Sequence, residues 1–406
     1  MSASSIDVQD SSIQWFLHHG VEKVLPEDGT LERALKSGKR LRAYLGIDPT
    51  GPTLHLGHLL NLKKLAEWQQ LGHEAILLIG DFTAMIGDPT DKLAARKQLT
   101  REQVLENCKL YKEQASRVLK FDGSNPAQFK FNSEWLAKMS FADVVELASH
   151  FTVQQMLERD MFEKRISDDK PVYLHEFLYP LMQGQDSVAM DVDVEICGND
   201  QTFNALAGRT LMREIRHKDK SVMVDKLLTD PSGKKMGKTE GNMIALTDSP
   251  QDMYGKVMSW SDEMILPGFE LCTDASVDEI QSMQQKISSG ENPMAFKHDL
   301  ARRIVTWLIG EEAAVFGYEH FSQVHQRGEV PDEIAEFGVD QADTLVSLLV
   351  LSGLVASKTD ARRQIEQGAV KVDGAVIMDV NFHVTLRPEG VLLQKGKRGF
   401  VRIVQK

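Results

Sequence analysis

Leu41-Arg42-Ala43-Tyr44-Leu45-Gly46-Ile47, running into Asp48-Pro49-Thr50-Gly51 and then His55-Leu56-Gly57-His58, decides the fold. The first seven residues read as a short apolar strand that a proline and a glycine bring to an end. Leu59 to Leu71 then carries leucines at helical spacing, and Ala75 to Gly80 is a second apolar run bounded by glycine. Strand, helix and strand joined by glycine turns predict a parallel sheet whose ligands gather at the carboxyl ends of its strands. Asp48 to His58 and Thr83 to Asp88 fall at such ends. Asp191 to Ile196, alternating acidic and apolar, reads as a further strand that delivers Gly198-Asn199-Asp200-Gln201 to the same edge.

His55 and His58 stand three apart, on one face if they open a helix, where the backbone already favours anions. Gly57 between them leaves room for a flat ligand. Taken alone, the pair also fits zinc ligation or two histidines satisfied inside a core. Cys108, Cys197 and Cys272 are scattered singly and supply no metal-binding cluster. Later in the chain, Pro231-Ser232-Gly233-Lys234 leads into Lys235-Met236-Gly237-Lys238-Thr239, a lysine-bearing loop that by itself is an ordinary exposed turn. Read with the histidines, it suits a nucleoside triphosphate whose α-phosphorus is attacked while pyrophosphate leaves. Such chemistry needs positioning and charge neutralisation rather than a protein nucleophile.

His55-Leu56-Gly57-His58 and Lys235-Met236-Gly237-Lys238-Thr239 resemble the His-Ile-Gly-His and Lys-Met-Ser-Lys-Ser motifs of class I aminoacyl-tRNA synthetases, with Gly237 and Thr239 in place of the two serines. Within that class the chain is similar to the bacterial tyrosyl-tRNA synthetase family, from Tyr44 through the C-terminal segment. The resemblance implies a tyrosine–tRNA ligase: ATP and L-tyrosine give tyrosyl-adenylate and pyrophosphate, and tyrosine passes to the 3′ end of tRNA(Tyr). It implies a catalytic set of Thr50, His55, His58, Lys235, Lys238 and Thr239, joined by Lys92 and Arg96 from a second loop. Gly46, Gly57, Gly198 and Asp200 hold ATP with Lys238, Gly198 and Asp200 at the ribose. In the amino-acid pocket the resemblance directs Asp88, Tyr179 and Gln183 toward the α-ammonium and Tyr44 and Asp186 toward the phenolic hydroxyl, with Asp48, Thr83 and Gln201 beside them. Tyr179, Gln183 and Asp186 are spaced to share one helical face. ATP enters as a substrate with Mg2+, and no tightly bound cofactor is expected. Tryptophanyl-tRNA synthetase shares the fold and both motifs, but Tyr44, Asp186 and the basic tail weigh against it. A nucleotidylyltransferase is usually shorter, and an inactive RNA-binding relative would have no reason to keep both motifs.

A chain of 406 residues is long enough for two or three domains. Its 42% hydrophobic and 26% charged content is that of an ordinary globular protein, which sets fibrous and disordered classes aside. Met1 to Asp10 lacks an apolar core of the secretory kind, and no run of about 18 apolar residues occurs, so a cytoplasmic location without a membrane span is expected. The net charge of −12 divides unevenly: residues 341–406 carry ten basic and six acidic side chains, so a small basic module sits on an acidic body, as a nucleic-acid contact would produce, although charge alone also fits a solvated surface that happens to be basic.

The expected architecture is α/β. A Rossmann-like parallel-sheet catalytic domain spans 1–245, and a helical insertion at about 121–179, including one helical stretch from Ala142 to Glu158, is where the family's subunits meet as a homodimer. An all-helical, anticodon-binding domain follows over 246–328, with Leu300, Ile304, Val305 and Leu308 on one stripe. Residues 329–340 read as a linker. The α+β tail, 341–406, resembles the S-four-type RNA-binding domain, most specifically in Ala361-Arg362-Arg363-Gln364-Ile365 followed by Gly368.

Overall fold

The computed structural model describes residues 5–88, 99–230, 233, 243–323, 334–339, 343–388, 390–396 and 399–405. By contacts the chain divides into two compact units, residues 1–248 with 256–308, and residues 249–255 with 309–406.

The first unit is built on a six-stranded sheet. Its strands are β1 (Val21–Leu25), β2 (Arg42–Ile47), β3 (Glu74–Ile79), β4 (Gln128–Phe131), β5 (Val194–Gly198) and β6 (Ser221–Asp225), in the spatial order β1-β6-β5-β2-β3-β4. The five strands from β6 to β4 run parallel, and β1 closes one edge antiparallel to β6. Strands β5 and β6 are buried along their whole length, as parallel strands covered on both faces must be. The chain moves from β2 to β3 on one side and returns as β5 on the other. The crevice between their carboxyl ends is therefore the switch point at which open α/β sheets bind ligands.

Helix Leu56–Gln70 makes the β2-to-β3 crossover and buries Leu56, Leu59, Leu62, Leu65 and Trp68 against the sheet. Trp68 Nε1 donates to the carbonyl of Glu74 at 3.0 Å, fixing the start of β3. The expected insertion is shorter than 121–179 at its front, because Gln128–Phe131 is the edge strand β4, paired in parallel with β3. The expected stretch from Ala142 to Glu158 is two helices, Phe141–Ser149 and Val153–Leu157. Thr152 ends the continuity: its hydroxyl accepts from the Gln155 amide at 3.2 Å and caps a new helix. Leu147 and Met156 from this pair pack with Leu181, Val188, Leu211 and Met212, so the insertion rests on helices Leu178–Met190 and Thr202–Arg216.

The expected helical domain is divided between the units. Helix Met294–Leu308 belongs with the first and buries Leu300, Ile304, Val305 and Leu308, the predicted stripe. Its neighbours are tied to the sheet unit by charge: Lys63 pairs with Asp274 at 2.7 Å, and Lys226 with Glu270 at 2.6 Å. Helix Glu311–Phe321 belongs with the second unit, where Tyr254 packs against Tyr318 and Phe321.

The rest of the second unit is a five-stranded sheet, β7 (Glu336–Val339), β8 (Val370–Val372), β9 (Ala375–Val376), β10 (Val391–Lys395) and β11 (Gly399–Gln405), ordered β7-β11-β10-β8-β9. Residues expected in a linker thus form β7, which pairs in parallel with β11 from Glu336 to Val339. Helices Leu345–Leu351 and Lys358–Glu366 supply Leu345, Leu348, Leu349, Ala361 and Ile365 to a core shared with Val370, Leu393, Val401 and Ile403. Asp373 (φ 48°) and Gly374 (φ 82°) turn β8 into β9, the left-handed pair a two-residue hairpin requires.

Candidate active site

A cleft of about 630 Å³ opens at the carboxyl ends of β2, β3, β5 and β6. Every candidate residue within the described chain lines it: Tyr44, Gly46, Asp48, Thr50, His55, Gly57, His58, Thr83, Asp88, Tyr179, Gln183, Asp186, Gly198, Asp200 and Gln201. Lys92, Arg96, Lys235, Lys238 and Thr239 lie outside the described residues.

Asp48, just past β2, is the hub of one wall. Its Oδ1 accepts from Thr83 Oγ1 at 2.7 Å and its Oδ2 from Tyr179 OH at 2.8 Å. Gly80 makes that approach possible, since a Cβ there would lie 1.9 Å from Asp48 Oδ1. Burial, then the charges of Asp48 and Asp88, push the Tyr179 phenol well above its ordinary pKa, so it stays a donor.

Asp88 is buried in a second cluster, accepting from Gln201 Nε2 and from Arg159 Nη2, each at 2.8 Å. Arg159 comes from the insertion and was not among the sequence candidates. Gly198 and Asp200 sit where β5 ends, and a Cβ on Gly198 would fall 2.9 Å from Asp200 Oδ1.

The deep end is closed by Tyr44 and Asp186, both buried. Tyr44 OH lies 3.2 Å from Ser187 Oγ. Asp186 Oδ1 accepts from Trp135 Nε1 at 2.7 Å and Oδ2 from Asn132 Nδ2 at 3.3 Å. Burial raises the Asp186 carboxyl well above the usual range, against the pull of these two donors. Asn132 also donates to Thr83 Oγ1 at 3.0 Å, which joins the Asp48 and Asp186 clusters. No spacing in the sequence marks Asn132, Trp135 or Arg159, which reach the cleft only through folding.

The two imidazoles stack, with ring centroids 3.8 Å apart and planes 29° from parallel. The His55 amide donates to His58 Nδ1 at 3.2 Å, so the neutral His58 ring carries its proton on Nε2. Burial holds His55 down to about 4, and burial with the neighbouring His55 holds His58 well below its ordinary value, so both rings are neutral at pH 7. The motif is also pinned from outside: His55 bridges Ala245, and Leu246 N donates to Leu54 O at 3.0 Å. Lys226 to Leu228 and Met243 also line the cleft.

Among the described lining residues, Lys226 is the one lysine or arginine, and Glu270 pairs with it. Asp48, Asp88, Asp186, Glu195 and Asp200 share the same cleft, a setting for an ammonium and for hydroxyls rather than for phosphates. Among the described residues no group of three or more His, Cys, Asp or Glu is placed to hold a metal ion.

The family described as "tRNA synthetases class I (W and Y)" matches residues 36–325, and "Tyrosine--tRNA ligase SYY-like C-terminal domain" matches residues 327–403. The tyrosine--tRNA ligase of Moorella thermoacetica is 44% identical over 395 residues, covering 95% of this chain and 94% of the relative. That of Thermotoga maritima is 44% identical over 390 residues, covering 95% and 96%. The chain belongs to the tyrosine--tRNA ligase family. It is therefore an aminoacyl-tRNA ligase, and the tyrosine reading is favoured over the tryptophan one. Two solved structures share the fold. The C-terminally truncated mitochondrial tyrosyl-tRNA synthetase of Aspergillus nidulans has a TM-score of 0.65 at 22% identity, over 78% of this chain and 94% of that one. Tyrosyl-tRNA synthetase of Archaeoglobus fulgidus, complexed with L-tyrosine, has a TM-score of 0.61 at 21% identity, over 77% and 99%. Among the described residues no helix is long and apolar enough to cross a membrane.

Proposed function

We propose that the cleft activates L-tyrosine with ATP and then charges tRNA(Tyr). The tyrosine carboxylate attacks the α-phosphorus, the bond from that phosphorus to the bridging oxygen breaks, and pyrophosphate leaves; a terminal ribose hydroxyl of the tRNA then attacks the acyl carbon and AMP departs. The observation that carries this reading is the joining of two unlike sets in one cleft: stacked neutral imidazoles at a helix start, and an acidic, tyrosine-lined end.

In this reading Asp88, Tyr179 and Gln183 receive the α-ammonium, with Asp48, Thr83 and Gln201 behind them. Tyr44 and Asp186 receive the phenolic hydroxyl. Gly46, Gly57, Gly198 and Asp200 accommodate the nucleotide, with the Asp200 carboxylate accepting from a ribose hydroxyl. Thr50, His55 and His58 face the phosphates, and His58 offers a proton-bearing Nε2 without adding net charge. The acid-rich lining leaves the pyrophosphate's charge to be met by Lys92, Arg96, Lys235 and Lys238, with Thr239, and by Mg2+ carried in with ATP.

The insertion is the proposed homodimer surface. Its support is apolar exposure: Phe141 is 84% exposed, Leu174 81% and Val153 66%, all within the insertion. The helices between 246 and 328 are proposed to meet the anticodon arm, and the basic tail to act as an S-four-type RNA-binding domain, with Lys358, Arg362 and Arg363 exposed along one helix. A cytoplasmic setting accords with three free cysteines. The test is amino-acid-dependent exchange of pyrophosphate into ATP with tyrosine, tryptophan and phenylalanine in parallel; exchange driven best by tryptophan, or by none, removes the reading.

A further inference from the structure

Beneath the cleft lies a buried ion pair that the steps above do not use. Lys220, immediately before β6, is 0% exposed, and its ammonium pairs with Glu195 of β5, 2% exposed. The same ammonium donates to Ser187 Oγ at 2.9 Å, and Ser187 is the neighbour of Tyr44 OH. Glu195 lines the cleft, and its Oε1 accepts from Gln183 Nε2 at 2.8 Å. Space for the pair is reserved by Gly208, where a Cβ would come within 2.6 Å of Lys220 Nζ and 2.8 Å of Ser187 Oγ. A buried ion pair is a weak stabiliser, because apolar residues of similar size often serve as well or better. Its position at the back of an amide that faces the cleft has a more specific consequence.

We propose that the Lys220–Glu195 pair sets the amide polarity of Gln183 and so makes that residue an acceptor for the substrate's α-ammonium. This rests on the tyrosine-pocket reading. A carboxylate has no hydrogen to give and can only accept. Held by Lys220, Glu195 obliges Gln183 to turn its NH₂ away from the substrate, leaving the amide carbonyl as the group presented to the cleft. An ammonium carries three donors and no acceptor, so it binds that carbonyl and is repelled by the flipped amide. Lys220 and Glu195 are positioning residues in this proposal, acting on the substrate through Gln183.

The test compares two ligands that share a phenol and a carboxylate, L-tyrosine and 3-(4-hydroxyphenyl)propionate, which lacks the ammonium. The variant is Glu195→Gln with Lys220→Met, which removes both charges at similar volume and leaves no buried ion unpaired. The amide introduced in place of the Glu195 carboxylate can donate as well as accept, so Gln183 is released from its fixed orientation. With the far-ultraviolet spectrum and melting curve retained, tyrosine Kd is expected to rise about tenfold or more, the scale of a hydrogen bond to a charged group. Binding of the propionate and of ATP should stay within about twofold of wild type, a split that general damage to the pocket would not produce. Equal loss for both ligands, or no loss for either, overturns the proposal. Absence of tyrosine binding in the wild-type protein would instead overturn the tyrosine-pocket reading itself. If the double variant does not fold, wild-type protein labelled with 15N-glutamine decides the matter: the Gln183 side-chain NH₂ protons, bonded to Glu195, should show no nuclear Overhauser contact with bound tyrosine, and such a contact overturns the assignment.

Discussion

Leu56 donates its backbone N–H to the carbonyl of Ile244 at 2.9 Å, so the first turn of the His55–His58 helix is bonded to a segment nearly 190 residues further along the chain. Replacing Lys238 with Ala should slow adenylate formation by about 2.7 to 4 kcal/mol, the range for loss of one preorganised donor, with little change in tyrosine affinity. Single-turnover rates measured by rapid quench check this, and a change within about twofold, roughly 0.4 kcal/mol, would remove Lys238 from the transition state.

Acid should destabilise the protein through its buried imidazoles. His19, His55 and His73 are each held down to about 4 by burial, against an ordinary value of 6.5. The unfolded chain takes up these protons first as pH falls, so the stability tied to neutral histidine is complete above about 6.5 and is lost progressively toward pH 4. Each such residue contributes a slope of at most about 1.4 kcal/mol per pH unit in that window. In urea titrations from pH 7 to 4.5, His55→Asn should flatten the decline by up to one proton; an unchanged slope would mean that His55 is protonated in the folded state.

Discrimination between tyrosine and phenylalanine should depend on Tyr44. Its hydroxyl is held beside Ser187 Oγ and 3.5 Å from the backbone carbonyl of Gln183 at the closed end of the cleft, where a substrate without a hydroxyl leaves polar groups unpaired. Tyr44→Phe removes one hydrogen-bonding atom without opening a cavity. The preference, as a ratio of kcat/KM in pyrophosphate exchange, is expected to fall by roughly 1 kcal/mol, about fivefold. Asp186→Asn should cost more, because a carboxylate is the stronger acceptor. Tyr44 does not read the phenol if its variant keeps the wild-type ratio.

Removal of the basic tail should separate the two half-reactions. Because β7 begins at Glu336 and Val339 belongs to the tail's core, a clean truncation ends at Gln323 and not within residues 329–340. The shortened protein should retain tyrosine-dependent exchange and lose most charging of subsaturating tRNA, while tRNA binding by the full chain should weaken steeply with salt. Equal charging by both forms would end the RNA-binding role of the tail.

Much of this was legible in the sequence because the signals are local. Apolar runs broken by glycine marked β2, β3 and the helix between them, and a spacing of four and three placed Tyr179, Gln183 and Asp186 on one helix face. The edge strands β1 and β4 were not legible: β1 is only partly buried and β4 is four residues of intermediate exposure, so neither carries a pattern strong enough to be read alone.

By itself the sequence determined the nucleotide-binding class, the strand-helix-strand core of β2 and β3 and the chemical types of the site residues, since these depend on neighbours within a turn or a strand. Only the tertiary structure decided which partners set those residues' behaviour. Arg159 on Asp88 is 71 positions away, Trp135 on Asp186 is 51, and Lys220 on Glu195 is 25. Pairings of that separation obey no periodicity; they exist because parallel strands and their crossovers carry distant segments to one sheet edge, where buried polar groups must find partners or be left unsatisfied.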